Sequence, residues 1–192
     1  MRGRRPAAAA LAFALAASSG TTVGAEAPAI PIGGPFTLTD HAGALRRDTD
    51  FRGRHLLVSF GYTACPDICP LQLDTVVAAL AALGPLADRL QPVLVTVDPA
   101  TDTPEVLRRY LAAFDPRLLG LTGTEAQIRA VAKAYRVHRR RVRTAGPDGA
   151  GATLIDHGSL TYLMGPDGAF VTLFPHGTTS ERMAEVLRGY LG

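Results

Sequence analysis

The chain has 192 residues, 47% of them apolar, with 20 basic and 17 acidic side chains and only two cysteines, which fits one domain with a real core and rules out a disulfide-stapled scaffold. The charge surplus sits at the N-terminus: Arg2, Arg4 and Arg5 precede the first acidic residue, Glu26, so residues 26–192 carry 17 charges of each sign. A formally neutral body lacks the basic face on which nucleic-acid binding runs, and no nucleic-acid partner is expected.

Taken in chain order, the three arginines introduce an apolar run over residues 7–17, followed by small residues with cleavage candidates at Val23-Gly24-Ala25 and Ala25-Glu26-Ala27. This is the layout of a secretory signal peptide over residues 1–25, with a retained membrane anchor as the alternative. The apolar run is shorter than the roughly 20 residues that span a bilayer, and no cysteine follows it to carry a lipid. The expected location is the periplasm or the outer face of the inner membrane of a bacterium, where disulfides persist. Residues 26–35 are rich in Pro and Gly and read as a flexible leader, leaving one domain over 36–192.

Phe36-Thr37-Leu38-Thr39 alternates at period two, and Asp40-His41-Ala42-Gly43 supplies turn chemistry. Residues 56–60 (LLVSF) and 92–97 (PVLVTV) are buried strands, and 118–121 a shorter one. Helices are expected over 71–83, with Leu73, Val76, Val77 and Leu80 at core spacing, over 103–114 and over 124–135. Thr103 and Pro104 suit the cap and first position of the second of these. Residues 136–151 are polar, rich in Arg and Gly, and read as a protruding loop or ragged hairpin. Residues 160–164 and 170–174 flank Gly165-Pro166-Asp167-Gly168 as a hairpin, and a helix over 179–191 closes the chain. Strands alternating with helices predict an α/β fold, a mixed sheet covered on both faces. The cysteine motif between the first buried strand and its helix is the thioredoxin-like arrangement.

That motif is FGYTACPDICP over residues 60–70, holding Cys65 and Cys69. A disulfide between them would close a very short loop, worth only about 2 kcal/mol in the chain-entropy model, which argues against a purely structural bridge. A helix start favours thiolates, and thiolates serve either as redox nucleophiles or as soft metal ligands. The usual dithiol motif has two intervening residues; this one has three, a wider loop able to aim both sulfurs at one point. Two-sulfur sites select Cu(I) or Zn(II). Of the histidines, His41, His55, His138 and His176 lack any motif context and read as surface residues. His157, in Ile155-Asp156-His157-Gly158-Ser159, stands where many thioredoxin-like oxidoreductases carry a proline beside the cysteines.

FGYTACPDICP, VDPATDTP (97–104) and IDHGSLTYLMGPDG (155–168) together resemble the Sco/SenC family, from about residue 36 to the C-terminus and in the family's order. The resemblance implies a thioredoxin-like copper protein that assists assembly of the dinuclear copper site of cytochrome c oxidase. It implies Cys65, Cys69 and His157 as ligands of a Cu(I) or Cu(II) ion. It also sets Asp98 and Asp102 near the site, although each has a plainer reading, one as a strand end and the other at a helix entrance. Phe60 and Tyr62 read as shields of the site or as core. Gly158 departs from the family, which commonly has a hydroxyl residue there. The run His138-Arg139-Arg140-Arg141-Val142-Arg143 is more basic than the family needs, and reads either as a docking face for an acidic partner or as a solvated loop.

Three functions compete for these residues. The first is a copper metallochaperone, not an enzyme, whose partners are the copper-site subunit of the oxidase, another copper chaperone and a thioredoxin-like reductant. The second is an exported thiol–disulfide oxidoreductase acting through the redox pair Cys65 and Cys69, which needs no His157. The third is a peroxiredoxin-like peroxidase, disfavoured because Thr63 lies two residues before Cys65 where that pattern wants three. Structural zinc is weaker still, because it wants four protein ligands.

Overall fold

The computed structural model describes residues 31–144 and 153–192. The expected signal, the leader as far as residue 30 and the tip of the arginine-rich segment lie outside the described residues.

β1 (Thr37–Asp40) and β2 (Leu45–Arg47) form an N-terminal hairpin. β3 (His55–Gly61) leads into α1 (Ile68–Leu83), β4 (Leu90–Thr96) into α2 (Pro104–Leu111), and β5 (Leu119–Thr122) into α3 (Glu125–Ala134). A ribbon of β6 (Arg139–Arg143) and β7 (Thr153–His157) follows, then the hairpin of β8 (Thr161–Met164) and β9 (Phe170–Phe174), and α4 (Ser180–Leu191). The main sheet runs β2-β1-β5-β4-β3-β8-β9, with β3, β4 and β5 parallel and the outer strands antiparallel. The near-continuous apolar runs of β3 and β4 suit central strands covered on both faces.

The two faces separate along β3. Leu56, Val58 and Phe60 pack on one side with Ile128 and Val131 of α3, while Leu57 packs on the other with Leu73, Val76 and Leu80 of α1 and Leu187 of α4. Leu73 and Leu80 are both 1% exposed, so truncating either to alanine costs about 2–5 kcal/mol. Polar residues also tie α1 to the sheet. Ser59 and Thr161, opposite one another on β3 and β8, share a hydrogen bond of 3.1 Å, and Gln72 Nε2 of α1 donates to Thr161 Oγ1 at 2.7 Å.

Local chemistry sets the helix ends. Thr103 Oγ1 accepts from the Val106 N–H at 3.3 Å, with Pro104 in the first position where its missing N–H is not needed. Expected to run to residue 114, this helix ends at Leu111, because the Ala113 and Phe114 N–H groups turn to carbonyls three residues back. The leader is not loose over its last residues. Ile32 packs against the core, and the Gly33 N–H donates to the Ala134 carbonyl at 3.0 Å. At φ +89° Gly33 suits only glycine, and a Cβ there would meet Met164 Cε at 2.6 Å.

Candidate metal centre

The site begins where β3 ends. Gly61, its last residue, leaves room for Cys69: a Cβ on Gly61 would stand 3.1 Å from Cys69 Sγ and 3.3 Å from Leu94 Cδ1. Cys69 is the second residue of α1 and is 2% exposed. A helix start leaves N–H groups without intrahelical partners, and Asp67, at the cap position, makes no side-chain cap bond. The sulfur of Cys65 takes that role, accepting from the Cys69 N–H at 3.4 Å. Both thiols are free. Burial, and then the contact with Cys65, push the Cys69 thiol well above its ordinary range. At Cys69 burial thus works against the thiolate that a helix start favours. A metal ion held by that sulfur would have to displace its proton.

His157 arrives from β7. Its Nδ1 lies 2.9 Å from the Ile155 carbonyl oxygen, an atom that only accepts, so Nδ1 carries a proton, and in the neutral imidazole the lone pair is on Nε2. That Nε2 lies 3.8 Å from Cys69 Sγ. The neighbouring N–H of Ile155 donates to Tyr62 Oη at 3.2 Å, and the Tyr62 ring meets the imidazole edge-on at a centroid distance of 5.7 Å. Tyr62 thus props the histidine, whereas Phe60 is core, packed against Tyr135 and Tyr162.

Asp102 serves as a brace. Fully buried, it accepts from the Thr63 N–H at 3.1 Å, the Thr63 hydroxyl at 2.6 Å and the Thr96 hydroxyl at 2.6 Å. Burial raises its pKa against the lowering effect of those donors. It fixes the loop two residues ahead of Cys65, and its oxygens are spoken for. Asp98 is engaged by Arg141 at 3.0 Å. Neither carboxylate is aimed at the sulfurs as a spare ligand. The roles of Thr63, Thr96 and Gly61 carry no signal in the sequence, since threonines and glycines are common in loops.

The other histidines lie elsewhere. His41 Nδ1 accepts from the Gly120 N–H at 3.0 Å, His55 opens β3, His138 pairs with Asp156 at 3.2 Å, and His176 sits in the turn before α4. The arginine run forms β6 of the ribbon, and three of its arginines already have carboxylate partners: Arg139 with Glu125, Arg140 with Asp156 and Arg141 with Asp98. The reading of this run as a basic docking face loses those charges.

The Cys65 loop and the ribbon frame a cleft of about 420 Å³, lined by Cys65, Pro66 and Ile68 on one side and Val142, Leu154 and His157 on the other. The donors suit a soft ion. Ligands at about 2.3 Å (sulfur) and 2.0 Å (imidazole) from one metal stand about 3.5–3.7 Å apart at tetrahedral to trigonal angles, and the Cys69–His157 separation of 3.8 Å is close to that. Among the described residues no three His, Cys, Asp or Glu side chains converge on one point. Cys65 lines the cleft, with its sulfur held by the N–H of Cys69.

A cysteine pair at a strand-to-helix junction of a mixed sheet, with an imidazole supplied by a later strand, defines a thioredoxin-like protein with a Cys-x3-Cys and His site. The chain belongs to the SCO1/SenC family, whose model matches residues 24–192. It is 38% identical over 160 residues to protein sco1 of Schizosaccharomyces pombe, covering 83% of this chain and 60% of that protein. It is 39% identical over 160 residues to protein SenC of Rhodobacter capsulatus, covering 83% of this chain and 71% of that one. The copper-bound structure of Bradyrhizobium japonicum ScoI superposes with a TM-score of 0.75 at 42% identity, over 83% of this chain and 99% of that chain. Copper-bound yeast Sco1 does so with a TM-score of 0.76 at 34% identity, over 84% and 89%.

Proposed function

We propose that this chain carries copper on Cys65, Cys69 and His157 and delivers it to the dinuclear copper site of cytochrome c oxidase. One observation carries the reading: the imidazole Nε2 of His157, the nitrogen not engaged by the Ile155 carbonyl, stands 3.8 Å from a buried cysteine sulfur. The copper bound by the ScoI and Sco1 relatives supports it. In this reading the protein is a carrier, not an enzyme, exported to the periplasm or held on the outer face of the inner membrane. It receives Cu(I), Cu(II) or both from another chaperone, and a thioredoxin-like reductant keeps its thiols reduced. Loading displaces the Cys69 proton, and transfer proceeds by ligand exchange, with incoming thiolates of the oxidase subunit reaching the ion from the Cys65 side of the cleft. Oxidation of the pair to a disulfide removes both sulfur ligands, so redox state gates loading.

Anaerobic copper titration of the full chain tests this. One copper per chain is expected, with at least about tenfold weaker binding in His157→Ala, the lower range for loss of a site contact. The Cu(II) form should show sulfur-to-copper charge-transfer absorption that disappears in Cys65→Ala and in Cys69→Ala. Unchanged affinity in His157→Ala removes the histidine from the site.

A second reading, thiol–disulfide exchange with a target protein, is favoured by the unequal exposure of the sulfurs. Cys65 lines the cleft while Cys69 is buried behind it. The Cys65 thiolate would attack a target disulfide, forming a mixed disulfide and freeing one target thiolate. Cys69 would then attack Cys65 Sγ, freeing the second target thiolate and leaving a Cys65–Cys69 disulfide, with two electrons passed to the target. A mixed disulfide trapped in Cys69→Ser, with wild-type reductase turnover retained in His157→Ala, would put exchange ahead of delivery.

A further inference from the structure

Among the described residues, the strand that carries His157 has no place in the main sheet, and β7 pairs with β6 alone. A two-stranded ribbon is marginal on its own, so the reach of His157 depends on what fastens the ribbon to the body. Burial of Ile155, 5% exposed, and its N–H bond to Tyr62 are two attachments on β7 itself. The third is on β6. Arg139 stands directly opposite His157 in the ribbon register. Its guanidinium forks onto both carboxylate oxygens of Glu125, Nη2 to Oε2 at 3.0 Å, and its Nε–H donates to the Val97 carbonyl oxygen. Val97 directly follows β4, and Glu125 is the first residue of α3.

One side chain therefore joins the ribbon to the end of a central strand and to the start of a helix. Arg139 is only 12% exposed at the side chain, whereas Arg141, which pairs with Asp98, is 52% exposed. An exposed single-contact pair contributes little, while a bidentate pair made by a largely covered guanidinium, with an added carbonyl bond, is geometrically demanding. Of the two, Arg139 is the effective fastening. Of the arginines that the sequence marks as surplus, Arg139 is thus the one turned inward, toward the body.

We propose that Arg139 is a positioning residue for His157, clamping the ribbon so that the imidazole stays within reach of Cys69. The proposal rests on the copper-carrier reading for its consequence but not for its geometry. Lysine would be a poor substitute, because a single ammonium cannot fork onto a carboxylate and reach a carbonyl as well.

The test uses the full chain with Arg139→Ala, Arg139→Lys, His157→Ala and the double variant Arg139→Ala/His157→Ala. In the metal-free protein, Arg139→Ala should speed amide exchange at Ile155 by about tenfold or more while Val58 and Val93, in β3 and β4, stay close to wild type, the mark of local opening. Copper affinity in anaerobic titration should fall about tenfold, the lower end for partners that orient a ligand, with part recovered in Arg139→Lys. In the His157→Ala background, Arg139→Ala should cost nothing further. Unchanged exchange at Ile155, or equal acceleration at Val58 and Val93, overturns the clamp. So does a copper loss of the same size with and without His157. If the wild-type chain takes up no copper, the carrier reading fails, and the exchange rates still decide whether Arg139 holds the ribbon.

Discussion

Gly61 shows how little space separates the strand from the sulfur. A methyl group there would meet Cys69 Sγ at 3.1 Å, Leu94 Cδ1 at 3.3 Å and Cys69 Cβ at 3.4 Å, all closer than ordinary contact. Gly61→Ala is expected to push the Cys69 side chain away from β3 and to destabilise the protein by about 1–3 kcal/mol, the usual range for overpacking. Its copper affinity should fall as well, because the displaced sulfur no longer faces His157 at the present distance. A urea melt together with an anaerobic titration checks both, and normal affinity at reduced stability would show that Cys69 recovers its place. At this scale Cys65, Cys69 and His157 stood out in the sequence because each sits in an ordered motif. Gly61 supports them by the space it leaves, and Thr63 and Tyr62 by hydrogen bonds across 39 and 93 residues, and no periodicity records such contacts. The buried state of Cys69 was equally hidden, since a helix start says nothing about what covers it.

Elements were legible where the apolar pattern was strong. The β3 and β4 strands and the α1 and α3 helices follow their runs closely, and the caps at Thr103 and Thr124 follow from local chemistry. The ribbon was harder, because Arg139–Arg143 has no apolar alternation; its strand is held by ion pairs to Glu125, Asp98 and Asp156, partners set by tertiary structure. Thr124 is where the two kinds of order meet. Its hydroxyl accepts from the Gln127 N–H at 3.2 Å and its own N–H donates to Gln127 Oε1 at 2.7 Å, a reciprocal cap directly ahead of Glu125. Thr124→Ala should destabilise the protein by about 1 kcal/mol, seen as a lower urea midpoint at unchanged slope. It should also quicken Ile155 amide exchange, by less than Arg139→Ala does, because Glu125 keeps its charge but loses its fixed perch. No change at Ile155 would mean that the start of α3 does not depend on its cap to hold the arginine.

For the whole molecule, the two sulfurs and the imidazole come from α1, the loop ahead of it and the separate ribbon, so an ion that engages all three adds a link between ribbon and body beside the Tyr62–Ile155 hydrogen bond, the burial of Ile155, the Arg141–Asp98 pair and the Arg139 clamp. Ligand that binds only the folded state stabilises it, by about 2.7 kcal/mol at a hundred times Kd. For a domain of this size that corresponds to a rise in Tm of about 5–11 °C. Anaerobic calorimetry with and without copper should show this rise in the wild type and none in Cys65→Ser/Cys69→Ser. Protein oxidised at the cysteines should show none until a reductant is added. The rise should also grow from mildly acidic to mildly alkaline solution at fixed copper, because burial holds the Cys69 proton in the metal-free protein and binding must expel it. A rise that survives loss of both cysteines would place the metal elsewhere, and one independent of pH would mean that Cys69 is already ionised before the metal arrives.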